Sequence, residues 1–320
     1  MRVLIVDRKE RASSMHVLYS GILEEFPNGE IIYFDKEQIR NLSSTLKSID
    51  FFKYDRVLFD IPVRRAAHAI KEIQKIPGLI YLELDACQDV MPESKYYNKF
   101  HKFFNKLQGA PVIVTSYHME RYLNSRGVAA KCILKAYDNE LLYNMNGARD
   151  IELAFIGRVK SDVYRHRRKL LLKMHDELGL KLLRTQGPSE YLDKLNSISI
   201  FVSADIGFNE HMIKNFEAMA CGCLLLVKRQ PTEDDKVGFI HMVNVVQYNT
   251  EQEAINLAGE LLKDPGKVME IARAGQELVE SKHKYSHRIP EFVDVIRAPY
   301  PKRQVSKSFF QKLFTIIKFK

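Results

Sequence analysis

Glu217 sits in the run FEAMACGC, residues 216–223, with Phe216 before it, small apolar residues after it, and Leu224, Leu225, Leu226 and Val227 close behind. A carboxylate in so apolar a setting is costly unless it is partnered or faces a cleft. In a cleft it can accept both protons of a vicinal diol, each charge-assisted bond contributing roughly 1.5–3 kcal/mol. Cations gather upstream, where Arg158 and Lys160 follow Gly157 and a second group comprises Arg165, His166, Arg167, Arg168 and Lys169. The first pair suits a phosphate-bearing ligand; the second group reads equally well as a solvated helix face. The loop Gly207, Phe208, Asn209 leads into a helix expected at about 211–220, whose free N–H groups would face an anion. In the first half, Asp85 and Asp89 follow the run LIYLEL, and His118 follows VIVTS. These are the groups placed to act as a base, although acidic loop residues also serve as caps and turns. His68, inside RRAAHAIKEI, reads as structural. His283 and His287 stand four apart like a helical metal pair but have no third ligand in sequence, so no metal site is expected.

Short β-branched runs alternating with helical patterns must position these groups, and that alternation is the signature of parallel sheets wound with helices. Strands are expected at 3–6, 31–34, 56–59, 79–84, 112–115 and 131–136, with helices at about 9–24, 64–76, 96–107 and 118–125. After the polar stretch 138–150 the pattern restarts with IELAFIG. Helices at 163–178, 189–196, 211–220, 251–263 and 266–280 then alternate with strands at 180–183, 198–203, 224–227 and 243–246. The fold class is α/β: two Rossmann-like domains, 1–140 and 141–297, facing across a cleft, with a basic tail at 298–320. A ligand is expected at the carboxyl ends of the strands. Neither half has G-x-G-x-x-G after its first strand, which argues against direct NAD binding.

The run GFNEHMIKNFEAMACGCLLLV resembles the donor-nucleotide segment of GT-B glycosyltransferases, especially the CgeB-related bacterial group and the family-four-type retaining enzymes. FIGRVKSDVYRHRRKLLLKM resembles the glycine and basic cluster that opens their second domain, and HKYSHRIPEFVDVI resembles their closing helix. The resemblance covers about residues 150–297. It implies a metal-independent transferase that binds a nucleotide-diphosphate sugar, with no cofactor, and no Asp-x-Asp occurs anywhere in the chain. In these families a Glu stands eight positions before the second Glu. Here the second is Glu217, the first position holds Asn209, and Glu210 comes one place late. The donor-binding set implied is Gly157, Arg158, Lys160, Arg165, Asn209, Glu210, Lys214 and Glu217, with Arg165 competing with Lys160 for the diphosphate. Glu217 would hold the ribose diol in the complex and water in its absence. On the acceptor side, the resemblance puts the catalytic group in the first domain, where Asp85 ranks ahead of His118. The implied acceptor is a cell-surface glycan or a lipid-linked precursor. A GT-B fold that has lost catalysis and serves as a binding or scaffold subunit is the alternative.

The chain of 320 residues carries a formal charge of +9, which suits anionic company. No reading helix, aromatic RNP pattern or zinc module points to nucleic acid. Asp7, Asp60, Thr115 and Lys135 resemble a receiver-domain set, but Arg8 and Lys9 stand where an acidic pair would be needed. Cys87, Cys132, Cys221 and Cys223 are expected to be reduced. MRVLIVD enters a strand without a leader pattern, and no apolar run approaches a membrane span, so a cytoplasmic location is expected. In the tail SKSFFQKLFTIIKFK, residues 306–320, Phe309, Phe310, Leu313, Phe314, Ile316 and Ile317 fall on one helical face. Six Lys or Arg and no acid lie from Pro301 onward, so the tail is expected to dock on the anionic inner face of the cell membrane. Docking on the amino-terminal domain and a loose tail are the alternatives.

Overall fold

The structure, a computed structural model, describes residues 1–160, 164–204 and 210–300. Gly207, Phe208, Asn209 and the tail 306–320 lie outside the described residues. The chain divides into two compact units: Met1–Thr115 with Met119–Ile133 and the segment from Ile289, and Leu134–Arg288 with Ser116–His118.

The first unit holds six parallel strands: β1 (Val3–Arg8), β2 (Glu30–Phe34), β3 (Arg56–Phe59), β4 (Leu79–Leu82), β5 (Val112–Val114) and β6 (Ala130–Cys132), in the order β2-β1-β3-β4-β5-β6. The second holds five: β7 (Ile151–Ile156), β8 (Lys181–Leu183), β9 (Ile198–Ser203), β10 (Leu224–Lys228) and β11 (Val246–Tyr248), in the order β11-β10-β9-β7-β8. Counted from its own first strand, each sheet runs second, first, third, fourth, fifth, and the first sheet adds a sixth. The same winding is thus used twice, as the restart of the sequence pattern after residue 150 implies.

Strands buried on both faces read as continuous apolar runs, and side-chain alternation splits them between two cores. Leu153, Phe155, Ile200, Val202, Leu224 and Leu226 join one core of the second unit, whereas Ala154, Ile156, Phe201, Leu225 and Val227 join the other. Phe216, Ala218, Met219 and Ala220 of the helix Ile213–Ala220 pack into the latter. Gly222 ends that helix at φ +79°, where an added Cβ would lie 2.5 Å from Asn144 Nδ2 and 2.6 Å from Arg149 Nη2. The turn from helix to β10 therefore requires glycine.

Several elements depart from the sequence pattern. The short helices Lys36–Arg40, Leu42–Lys47 and Pro231–Val237 stand where no helix is expected, because five to seven residues are too few to display a 3.6-residue period. The strand expected at 243–246 is displaced to Val246–Tyr248: Val243 and Asn244 both donate N–H bonds to Ile240 O, forming a turn that leaves Val243 exposed. The helix Ile289–Arg297, grouped by its position in the chain with 141–297, belongs to the first unit and packs against the helix His16–Glu24. There Arg56 donates from Nε to Ile296 O at 3.1 Å and from Nη2 to Ala298 O at 3.0 Å, and Arg297 pairs with Glu25 at 2.9 Å. Chain order does not say which core receives the apolar stripe Phe292, Val293, Val295 and Ile296, all buried here.

Candidate donor site

In the second sheet β7 lies between β8 and β9, so the crossovers leaving β7 and β8 run in opposite directions across the sheet. Crevices form at such a reversal, beyond the carboxyl ends of the strands. Gly157 is the first residue past β7. Its φ is +156°, and a Cβ there would stand 2.8 Å from Phe155 Cζ and 3.1 Å from Lys214 Nζ, so the chain passes too close to both for a side chain. Lys214, in the first turn of Ile213–Ala220, donates through Nζ to Ile156 O at 2.6 Å. No side chain caps that helix at Met212.

Lys214 is partly buried, and its ammonium pKa is lowered first by that burial and then by the charges of Arg167, Arg184 and Arg158, against the opposing pull of Glu217. Arg158, Arg167 and Arg184 thus act on Lys214 alongside the carboxylate of Glu217. Arg158 and Arg184 are exposed, and Arg167 is buried at 7% exposure. Arg167 donates from Nε to Ala204 O at 2.7 Å and from Nη1 to Arg158 O at 3.4 Å, and its guanidinium lies over the Tyr164 ring at 4.4 Å. It ties the end of β9 to the segment after β7.

Glu217 lies one helical turn beyond Lys214 and is partly buried. Burial raises its carboxyl pKa, while a hydrogen bond from Tyr191 and the charge of Lys214 lower it. The Tyr191 hydroxyl, from the helix Pro188–Asn196, donates to Glu217 Oε2 at 2.6 Å. Glu217 therefore has a partner within the protein, not water alone.

Of the other expected donor residues, Lys160 is exposed and its carbonyl accepts from Arg168 Nη1 at 3.2 Å; Arg165 is exposed at the start of the helix Arg165–Leu178. Asn209 lies outside the described residues. Glu210 is buried, its Oε1 paired with Lys135 Nζ, and its carbonyl accepts from Gln230 Nε2 at 3.1 Å. Beside it a buried network joins His211 Nε2 to Asp234 Oδ1 at 2.9 Å and Ser203 Oγ to Asn215 Oδ1 at 2.6 Å.

Of the acidic candidates in the first half, Asp85 has a half-exposed side chain that pairs with Arg64 at 2.9 Å. Asp89 is fully buried: its carboxylate accepts the backbone N–H groups of Phe100 and His101 at 2.8 and 3.1 Å and pairs with His101 Nδ1 at 2.7 Å. It is a cap for the helix Phe100–Asn105. His118 belongs to the second unit, where its N–H donates to Glu233 Oε1 at 2.9 Å. His283 is buried, donates from Nε2 to Val237 O at 2.8 Å, and its imidazole pKa is pushed down to about 4, chiefly by burial.

Three site residues, Arg167, Arg184 and Tyr191, are missed by motif reasoning. Periodicity carried a signal for Arg167: with Leu170, Leu171 and Met174 it completes an i, i+3, i+4, i+7 stripe, so it faces inward and not into solvent. In the first unit the equivalent reversal, at the ends of β1 and β3, is filled by protein. Arg11 Nη1 reaches Asp60 at 2.8 Å and Asp7 at 3.3 Å, and the Tyr19 hydroxyl donates to Asp60 at 2.5 Å.

Two structural likenesses cover almost the whole chain. Sucrose-phosphate synthase from Thermosynechococcus elongatus matches with a TM-score of 0.65 at 11% identity over 99% of this chain and 100% of that one. The T4 phage BGT, in complex with its UDP-glucose substrate, matches with 0.61 at 12% identity over 93% and 100%. Residues 155–294, which contain the Gly157–Lys214–Glu217 cluster, match the family model described as glycosyl transferase-like. The chain has the GT-B fold. Anabaena HepE, solved in complex with UDP-glucose, is a further GT-B likeness, with a TM-score of 0.62 at 13% identity over 92% of this chain and 99% of that one. No curated protein sequence matches this chain. Among its described residues no helix is long and apolar enough to cross a membrane.

Proposed function

We propose that this chain is a glycosyltransferase that takes a UDP-sugar as donor and delivers the sugar to a glycan or a lipid-linked precursor held at an anionic membrane surface. The observation that carries the donor reading is Lys214, whose ammonium reaches Ile156 O at the carboxyl end of β7, one helical turn from Glu217 and within the fields of Arg158, Arg167 and Arg184. A nucleotide-sugar presents a ribose diol, two phosphates and a leaving-group bond, and each finds a counterpart here. Glu217 accepts from the diol. Arg158, Arg184 and Lys214, with the uncapped amino end of Ile213–Ala220, stabilise the diphosphate as it departs with two negative charges. The chemistry needs no metal, because fixed cations supply the charge. UDP-glucose in the T4 phage and Anabaena structures supports uracil as the base. On the acceptor side we assign the base to Asp85, whose carboxylate is half-exposed. His118 is second, its backbone held by Glu233.

Saturation-transfer NMR with UDP-, GDP-, CMP- and ADP-sugars tests the donor assignment on the intact protein. UDP-glucose is expected to show ribose and uracil contacts. Silence from all four donors would end the enzyme reading.

A further inference from the structure

Resting on the nucleotide reading of the site, we propose that Tyr191 is a positioning residue: its hydroxyl bond to Glu217 Oε2 orients the carboxylate and keeps it in the ionised form that accepts the ribose diol. The bond spans 26 positions of sequence, is 2.6 Å long, and joins two helices that flank the site. It takes up one lone-pair direction of Oε2. Among the described residues, Oε1 and the remaining lone pair of Oε2 are the acceptors left for two adjacent hydroxyls.

A hydroxyl that donates to a carboxylate favours its charged form, and burial opposes it. Among the described residues, the groups that act on Glu217 are Tyr191 from the helix Pro188–Asn196 and, from its own helix, Lys214; Cys221, just past that helix, feels the carboxylate in turn. Behind Lys214 stand Arg158, Arg167 and Arg184. Lys214 Nζ is already engaged with Ile156 O and lies 5.8 Å from the centre of the Tyr191 ring. The tyrosine is thus the direct donor to Glu217, and it does not compete as an acid, because burial and Glu217 hold its own pKa well above the usual value.

The test is Tyr191→Phe, which keeps the ring and removes the oxygen. UDP affinity is measured by calorimetry from pH 5.5 to 8.5, alongside the titration of the Glu217 carboxyl by carbon-13 NMR in the ligand-free protein. In the variant the carboxyl should titrate at higher pH than in the wild type. Its UDP affinity should fall by about tenfold at the acid end, the loss of one charge-assisted bond, and recover toward wild type at the alkaline end. Adding Glu217→Gln to Tyr191→Phe should flatten that pH dependence. A loss equal at every pH, or an unmoved Glu217 titration, overturns the proposal and makes Tyr191 a packing residue. If wild-type protein ignores UDP, the nucleotide reading fails instead, and the ligand-free titration still decides whether Tyr191 governs the carboxylate.

Discussion

Lys214 and Ile156 are joined by a hydrogen bond of 2.6 Å from the ammonium to the last carbonyl of β7, which brings a cation from the helix after β9 to the end of the neighbouring strand. Replacing Lys214 with Met keeps most of the side chain's length and removes the charge. UDP and UDP-glucose should each bind at least tenfold more weakly, following the roughly 1.5–3 kcal/mol of a charge-assisted bond, while uridine is nearly unaffected. Arg158→Ala should show the same split between phosphorylated and bare nucleoside. Calorimetry with the three ligands decides it, and an equal loss for uridine would show that neither cation serves the phosphates.

Gly157→Ala tests the close approach from the other side. A Cβ 2.8 Å from Phe155 Cζ and 3.1 Å from Lys214 Nζ, on a backbone at φ +156°, forces both neighbours to move. Strain of this kind costs about 1–3 kcal/mol, so the second unit should melt several degrees lower. UDP-glucose affinity should drop as well, since Lys214 loses its seat. A variant with wild-type melting and binding would show that the turn relaxes freely.

Asp7 sets a pH dependence in the first unit. Burial and the nearby Asp60 push its carboxyl up to about 7, against Arg11 and the N–H of Arg8. In the unfolded chain an aspartate titrates near about 3.9. Between those values the folded protein holds a proton that the unfolded chain has released. The stability from this group is therefore full below about pH 4 and lost as pH rises through about 7. Asp7→Asn keeps an acceptor for Arg8 N–H and removes the titration. It should raise the melting temperature at pH 8 by a few degrees and flatten its change between pH 5 and 8. Parallel melting curves for wild type and variant would refute this.

The membrane proposal concerns residues 306–320, outside the described part of the chain. Deleting them should abolish sedimentation with vesicles rich in anionic lipid and leave UDP binding intact, since each basic residue near such a surface contributes on the order of 1 kcal/mol. Unfolding of the truncated protein, or indifference of the full chain to anionic vesicles at low salt, would make the tail a packing element.

Sequence alone determined the two α/β halves, because strands buried on both faces need unbroken apolar runs and the helices between them need a 3.6-residue period; both are local patterns. Glu217 was legible for a related reason, as a lone charge in an apolar run must be accounted for. The tertiary structure decided what Glu217 touches. Tyr191 and Arg184 reach the site from elements around β8, and Arg167 from the helix after β7, and only the strand order β9-β7-β8 makes these neighbours. Burial likewise turned Asp89 from a candidate base into a helix cap and Glu210 into the partner of Lys135. The closing helix Ile289–Arg297 returned to the first unit because the carbonyls of Ile296 and Ala298 find Arg56 there. A side chain's type and spacing state which bonds it can make, but its partners depend on how the crossovers wind, and that winding is a property of the whole sheet.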